Sequence, residues 1–272
     1  MHQGRMGRGW GVAFVVVALI GSGVRGEEPE KIGGTLPTDA DLLPPQLAQR
    51  LLSEASPAEV TTLAGRRVAG IGAAGLRIRP GNAVSTIDHL DVWADPATGL
   101  PLAIAVYGAG GAGAALRSSF LDVTIATPAP ASTVFRVPAG ATVQADNAPD
   151  LATAIDRLGG GLPPARLAGI ARNPELPALG SIGVYGRGVT EFVAAPLPWR
   201  LAYSLRQQLA PNSPAGPGSD RAGQLTLSAG PVNLLLSSFA TPAGPWLLVG
   251  TVSAPTLALA AAELTAQAEQ PR

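Results

Sequence analysis

The chain has no cysteine, which excludes a disulfide framework, a thiol nucleophile and a cysteine-bound metal centre. Histidine is almost as scarce. Of the two in 272 residues, His2 lies in the N-terminal stretch and His89 stands alone in the rest of the chain. A site built from several histidines is therefore excluded too. Aromatic residues make up 4%, so the core has to be built from Val, Leu, Ile and Ala. Charged residues make up only 14%, and Lys31 is the single lysine. Basic and acidic groups balance at 19 each; setting aside Arg5, Arg8 and Arg25 leaves 16 basic against 19 acidic. No basic stripe remains to follow a phosphate backbone, so nucleic acid is not expected as a direct partner.

What is present is apolar and finely divided. Hydrophobic residues make up 46%, enough for one large or two modest domains. The 34 glycines and 26 prolines fall between apolar runs, which reads as many short elements joined by turns. At the N-terminus, Arg5 and Arg8 precede an uncharged run from Gly9 to Val24, followed by small residues. Basic, apolar, then small is the layout of an export signal. The run is slightly short for a spanning helix, which needs roughly 17–25 residues. Residues 1–26 are thus expected to be a signal peptide or an N-terminal membrane anchor, with the rest extracytoplasmic, either secreted or held at the cell membrane.

Along the remainder, DLLPPQLAQRLLSEA (41–55) carries leucines at helical spacing after two prolines that a first turn tolerates. RRVAGIGAAGLRIR (66–79) reads as a glycine-softened strand pair or one bent strand. STIDHLDVWAD (85–95) alternates Leu90, Val92 and Ala94 against His89, Asp91 and Trp93, the pattern of a half-buried strand. Asp95-Pro96-Ala97-Thr98-Gly99 has the chemistry of a hairpin turn, and LPLAIAVY continues as a strand. SFLDVTIA (119–126) is expected as the strand after the glycine-rich loop. PDLATAIDRL (149–158) is expected as a helix and GGGLPP (159–164) as a linker. Beyond it, a hairpin turning at Gly186-Arg187-Gly188, a helix over 198–210, an exposed loop over 211–223, a hairpin over 224–240 and a strand over 246–252 follow. Ser253 is placed to cap a last helix.

Several motifs carry potential chemistry. Gly108, Gly110 and Gly113 match the G-x-G-x-x-G spacing of a dinucleotide-binding turn. That reading needs a helix after the glycines and an acid about twenty residues on. Only AALRSS separates Gly113 from the next strand run, and the later position reads PASTVF. A parallel crossover needs a dozen residues or more, so a hairpin loop is the expectation. Ser85, Asp88, His89 and Asp91 hold the residue types of a hydrolytic triad, but on one strand they form a line with no oxyanion hole. His89 is expected on the polar face of that strand. Asp88, Asp91 and Asp95 could ligate calcium, but alternation turns Asp88 to the opposite face. Arg187 is expected at a turn tip, in solvent, and Trp199 and Trp246 in core or domain contacts.

The segment STIDHLDVWADPATGLPLAIAVYG, followed by SSFLDVTIATPAPASTVFRVPAGATV, resembles the closing half of the LolA-like fold of lipoprotein carriers and of the MucB/RseB family of sigma-E regulatory proteins. The shared features are Trp-x-Asp at Trp93–Asp95, a Pro-x-Thr-Gly turn at Pro96–Gly99, and Leu-Pro-Leu opening the next strand. A Val-Phe-x-x-Pro-x-Gly-Ala segment at Val134–Ala141 completes the set. With DLLPPQLAQRLL, VYGRGVTEFVAAPLP and WLLVGTVSAPTLALAAAEL, the resemblance spans roughly residues 36–270 and is to a membrane-anchored, actinobacterial type. It implies an α+β protein: a curved antiparallel sheet forming a partial half-barrel (27–148), a helix and linker (149–164), and a small antiparallel α+β domain (165–272). On this resemblance the opening half of the family's N-terminal domain is expected to be missing, through truncation, pairing with another chain or a start at the wrong codon. The resemblance implies no catalysis, no cofactor, and an apolar concavity for a lipid, a lipoprotein, or an anti-sigma or other membrane protein. No ligand-binding residue is singled out. A rival expectation is an exported enzyme acting through Arg187 or through the acids from Asp88 to Asp95; another is a structural envelope component.

Overall fold

The computed structural model describes residues 42–52, 55–129, 134, 137, 140, 162–174, 182–210, 223–238 and 244–268. The expected signal or anchor, the helix over 149–158, the first half of the linker after it and the loop over 211–222 lie outside these residues.

The fold is α+β, with open antiparallel sheets and few helices. Helix α1 (Pro44–Leu52) opens on its two prolines and buries Leu47 and Ala48. A 3-10 turn (Pro57–Glu59) follows, closed by a capping box between Ser56 and Glu59. It leads into β1 (Val60–Val68), β2 (Ile71–Ile78), β3 (Ile87–Ala94), β4 (Pro101–Gly108) and β5 (Ala114–Ser119), which form one sheet in sequence order. The meander follows from short turns. Ala69 and Gly70 take positive φ between β1 and β2, and Gly99, at φ 73°, closes the turn between β3 and β4. Asp95 holds that turn: its carboxylate accepts from the Ala97 and Thr98 N–H groups and from the Thr98 hydroxyl.

The expected strand over 119–126 is a correction. The strand after the glycine loop is AALRSS itself, paired with β4 from Tyr107↔Ala114 to Ala103↔Ser119. A hairpin pairs first beside its own turn, so a five-residue loop commits β4 to the residues that immediately follow. Only one further bond, Phe120 N–H to Leu102 C=O, extends the ladder before Pro101 ends it.

After a two-residue ribbon, β6 (Arg166–Leu167) with β7 (Ile170–Ala171), come β8 (Gly183–Arg187) and β9 (Thr190–Pro196). Helix α2 (Trp199–Leu209), β10 (Leu225–Ala229), β11 (Val232–Leu236), β12 (Trp246–Gly250) and helix α3 (Ala254–Ala268) complete the order. The second sheet runs β10-β11-β12-β9-β8. Gly188 and Val189 make the turn between β8 and β9, slightly later than expected. Ser253 caps α3 as predicted, accepting from the Thr256 N–H at 3.4 Å.

Each sheet has a core on both faces. In the first, Leu47 and Ala48 of α1 pack on Ile78, Leu90, Val92 and Ile104, and Val68, Ala73, Trp93, Ala103 and Ala105 pack on the reverse. In the second, α3 presents Leu257, Ala260, Ala261 and Leu264 at helical spacing to Tyr185, Phe192, Leu235 and Leu248. Ala202 of α2 meets Leu225, Leu234, Leu236 and Val249 on the other face. Each fully buried Leu or Phe contributes about 1.5–3 kcal/mol.

The two sheets are joined. Ser85 bridges Val252, the Thr86 N–H donates to Thr251 C=O and the Ser253 N–H to Val84 C=O, both at 2.9 Å, and the Thr86 hydroxyl donates to Pro231 C=O. Val84 packs against the α3 core and Val189 against the α1 core, so each sheet receives a valine from the other's side.

Gly250 sits where an added Cβ would overlap the Glu191 C=O and Phe192 Cα, whereas one on Gly113 would meet open space. Gly250→Ala is expected to lower unfolding stability by about 1–3 kcal/mol through overpacking. Gly113→Ala should stay within about 0.5 kcal/mol. Urea denaturation of the two variants checks both.

Candidate functional site

The residues with chemical potential gather on the face of the first sheet away from α1. Cross-strand register places Arg77 beside Asp91 and His89 beside Tyr107. The Arg77 guanidinium donates to both Asp91 oxygens, at 2.6 and 2.7 Å. Asp91 is 3% exposed, so the sequence expectation of a half-buried strand with a polar outer face is corrected here. Both faces of β3 are covered, because Arg77 neutralises the buried carboxylate and Arg66 lies 3.6 Å over the Trp93 ring. The Trp93 Nε1–H donates to Ala64 C=O.

His89 is not the surface histidine expected. Its side chain is 12% exposed, with the ring stacked on Tyr107 at a centroid distance of 4.3 Å. Its Nδ1 lies 2.5 Å from the Asp88 carboxylate and its Nε2 lies 3.8 Å from Asp91. Asp88 does not turn away as simple alternation requires. The register slips between Ile87 and His89, and at such a bulge alternation fails. The His89 hydrogen bond holds Asp88 below the ordinary carboxylate range. Asp95 is also held low, first by the Thr98 hydroxyl and then by the turn N–H of Ala97.

These groups do not form a hydrolytic site. The Ser85 hydroxyl is engaged by the Ile87 backbone, accepting from its N–H and donating to its C=O, each at 3.2 Å. Asp95 serves its turn, and Asp91 is held by Arg77. Among the described residues no group of three metal-ligating side chains occurs. Arg187 is exposed at the end of β8, where it pairs with Thr190, on the other sheet from the aspartates. The glycine loop runs into a strand, so its N–H groups open no helix towards a phosphate. Gly110, at φ 76°, provides turn geometry.

The tryptophans divide. Trp246 packs against the α3 core as expected, its buried Nε1–H without an acceptor among the described residues. Trp199 is 55% exposed: the stripe of α2 that packs on the sheet is Ala202 and Leu209, and Trp199 lies outside it. Two features were not legible beforehand. Tyr185 is fully buried, its hydroxyl donating to Pro164 C=O, and burial pushes its phenol up to about 12. Glu191 is 4% exposed and accepts from the Asn173 amide. A lone acid inside the apolar run VTEFVAA was the available signal for it.

On the opposite face, α1 lies mainly over β4. It leaves the β1–β2 margin of that face uncovered. Thr62 pairs with Leu76, Leu76 with Val92, and Ala74 with Ala94. Thr62, Ala74 and Leu76 are all exposed, Leu76 at 40%. Among the described residues β1 pairs with β2 alone, so its outer backbone edge borders this apolar strip.

No family model matches the sequence, and no curated protein matches it. Solved structures do. The chain is similar to MucB in a crystal structure with MucA(peri), at 21% identity and a TM-score of 0.42, over 79% of this chain and 68% of that one. It is similar to MucB in the Pseudomonas aeruginosa MucA/MucB complex, at 20% identity and 0.42, over 86% and 71%. A structure of MucB alone aligns at 19% identity and 0.35, over 82% and 68%. These three are MucB chains. They belong to the MucB/RseB family that the hairpin sequence resembles. Among the described residues no helix is long and apolar enough to cross a membrane.

Arg77→Ala leaves the Asp91 carboxylate buried and uncompensated, and is expected to cost about 3 kcal/mol at neutral pH. Arg77→Ala with Asp91→Ala should recover part of that loss, and a double-mutant cycle in urea measures it. Asp95 has a folded pKa below its ordinary 3.8. Its contribution to stability is therefore complete above that value and is lost as the pH falls through the folded pKa. Asp95→Asn should flatten the acid limb of the stability–pH curve.

Proposed function

We propose that this is a non-enzymatic, extracytoplasmic binding protein whose first sheet engages a membrane-anchored regulatory protein of the anti-sigma kind. The observation that carries the reading is the β1–β2 margin: an unhelixed strip of Thr62, Ala74 and Leu76 beside an edge strand. An extended peptide adds to such an edge through backbone hydrogen bonds and places alternate side chains on the neighbouring apolar surface. The second half of β1 is less suited to this. Its register slips between Leu63 and Arg66, and two adjacent arginines follow, the usual guard against indiscriminate pairing. Docking is therefore assigned to Val60–Leu63.

The sequence supports the partner class. The Trp-x-Asp, Pro-x-Thr-Gly and Leu-Pro-Leu pattern resembles the MucB/RseB family, and the export-like layout of the N-terminus supports an extracytoplasmic body. The chemistry of the polar face agrees with a binding role, since Ser85, Asp91 and Asp95 are each held by structural hydrogen bonds.

The test uses the full chain in detergent as bait for envelope proteins, with organic extraction of the same preparation. Recovery of a single-span membrane protein, reduced about tenfold by Leu76→Arg, supports the reading; that factor corresponds to about 1.4 kcal/mol of binding. A tightly held lipid and no protein would instead make the chain a lipid carrier. Capture unaffected by Leu76→Arg, with the variant still folded, would remove the β1–β2 margin from the account.

A further inference from the structure

Large aromatics are scarce in this chain, with four Trp and three Tyr in all, and most of those described are covered. Trp93 is 7% exposed and Tyr185 fully buried, while Tyr107 stacks on His89 and Trp246 packs beneath α3. Helix α2 breaks the pattern. Trp199 is 55% exposed, Leu201 54% and Tyr203 61%, all within the first five residues of one helix. Arg200 between them is exposed as well. The helix WRLAYSLRQQL contains no acid, and Pro198 before it provides no side-chain cap for the first N–H groups.

Surface-exposed Trp and Tyr are costly in water and favourable at a bilayer interface, where the ring is buried and its polar edge stays wet. An arginine among them keeps its stem with the apolar groups and its head with lipid phosphates. The positive end of the helix dipole lies at the same turn. Aromatic area, cationic charge and dipole thus share one end of α2, with no acid in the helix to oppose an anionic surface.

We propose that the first turns of α2, through Trp199, Arg200, Leu201 and Tyr203, dock the second sheet onto an anionic lipid bilayer. The inference goes beyond the protein partner proposed for the first sheet and does not depend on it. Contact at α2 adds a second point of membrane attachment to any provided by the N-terminal segment. Two weak attachments together hold a protein at a surface far better than either alone.

The absence of native cysteine makes the test direct. Gln207→Cys in the full chain places a unique thiol one turn beyond exposed Tyr203, and Ala97→Cys places one on the exposed β3–β4 turn as a control. Each is labelled with an environment-sensitive fluorophore and mixed with vesicles of phosphatidylcholine doped with phosphatidylglycerol. The label at 207 should shift to the blue and the label at 97 should not. The shift should weaken about fivefold with Arg200→Gln and disappear with Trp199→Ala plus Tyr203→Ala. Circular dichroism checks that these variants remain folded. If the chain floats with vesicles while the two labels respond alike, or if the shift survives the double substitution in a folded protein, the proposal is wrong. A label at 207 silent to vesicles but protected by a captured protein would assign the patch to protein binding and overturn it equally. The Leu76→Arg capture assay is unaffected by either result, so the two readings fail separately.

Discussion

The seam between the two sheets is the constraint on which the rest depends. After β2, the chain leaves the first sheet, runs along the end of β12, and returns as β3. At its crossing it forms a short antiparallel pairing with the residues that precede α3. Each hydrogen bond there has a modest net value, about 0.5–1.5 kcal/mol. The exchange of valines adds to them, with Val84 packed against the α3 core and Val189 against the α1 core. Each core is completed by a residue from the other sheet's side, which ties the β1–β2 margin to the sheet that carries α2.

That tie also explains features that look like chemistry in isolation. Gly108 opens the G-x-G-x-x-G pattern, yet its place in the fold is against the Pro231 ring, which an added Cβ would touch. Across the same gap, Gly230 takes a positive φ and faces Ala115. Small residues let the end of β4 approach the turn between β10 and β11. Ser85 is likewise a seam residue, and its hydroxyl stabilises the backbone at the start of β3. The histidine–aspartate group is structural polarity of another kind. Asp91 and His89 lie within a covered sheet face, where a buried charge needs a partner, and Arg77 and Tyr107 provide that environment, while Asp88 remains exposed.

Much of the fold was legible in local signals. The Asp95–Gly99 turn, the leucine spacing of α1 and the cap at Ser253 each rest on interactions within a few residues, and sequence reports such interactions well. The candidate site was legible in part. The Trp-x-Asp and Leu-Pro-Leu strands were found, but the value of the β1–β2 margin depends on where α1 stops covering the sheet. The misplaced strand after Ser119 shows the same limit. SFLDVTIA has strand-like composition, but β4 was already paired with AALRSS, and a strand without a partner does not form. Alternation misplaced Asp88 and His89 because it assumes an unbroken register.

By itself the sequence determined the absence of cysteine and of a histidine cluster, the turns that make its strands antiparallel, and the apolar stripes of its helices. Those are consequences of residue type and of neighbours close along the chain. Only the tertiary structure decided which faces are covered, that Asp91 is buried against Arg77, that the sheets share a seam, and that Trp199 and Tyr203 remain outside. Each of these depends on contacts between residues far apart in sequence, whose pairing is set by packing and backbone register.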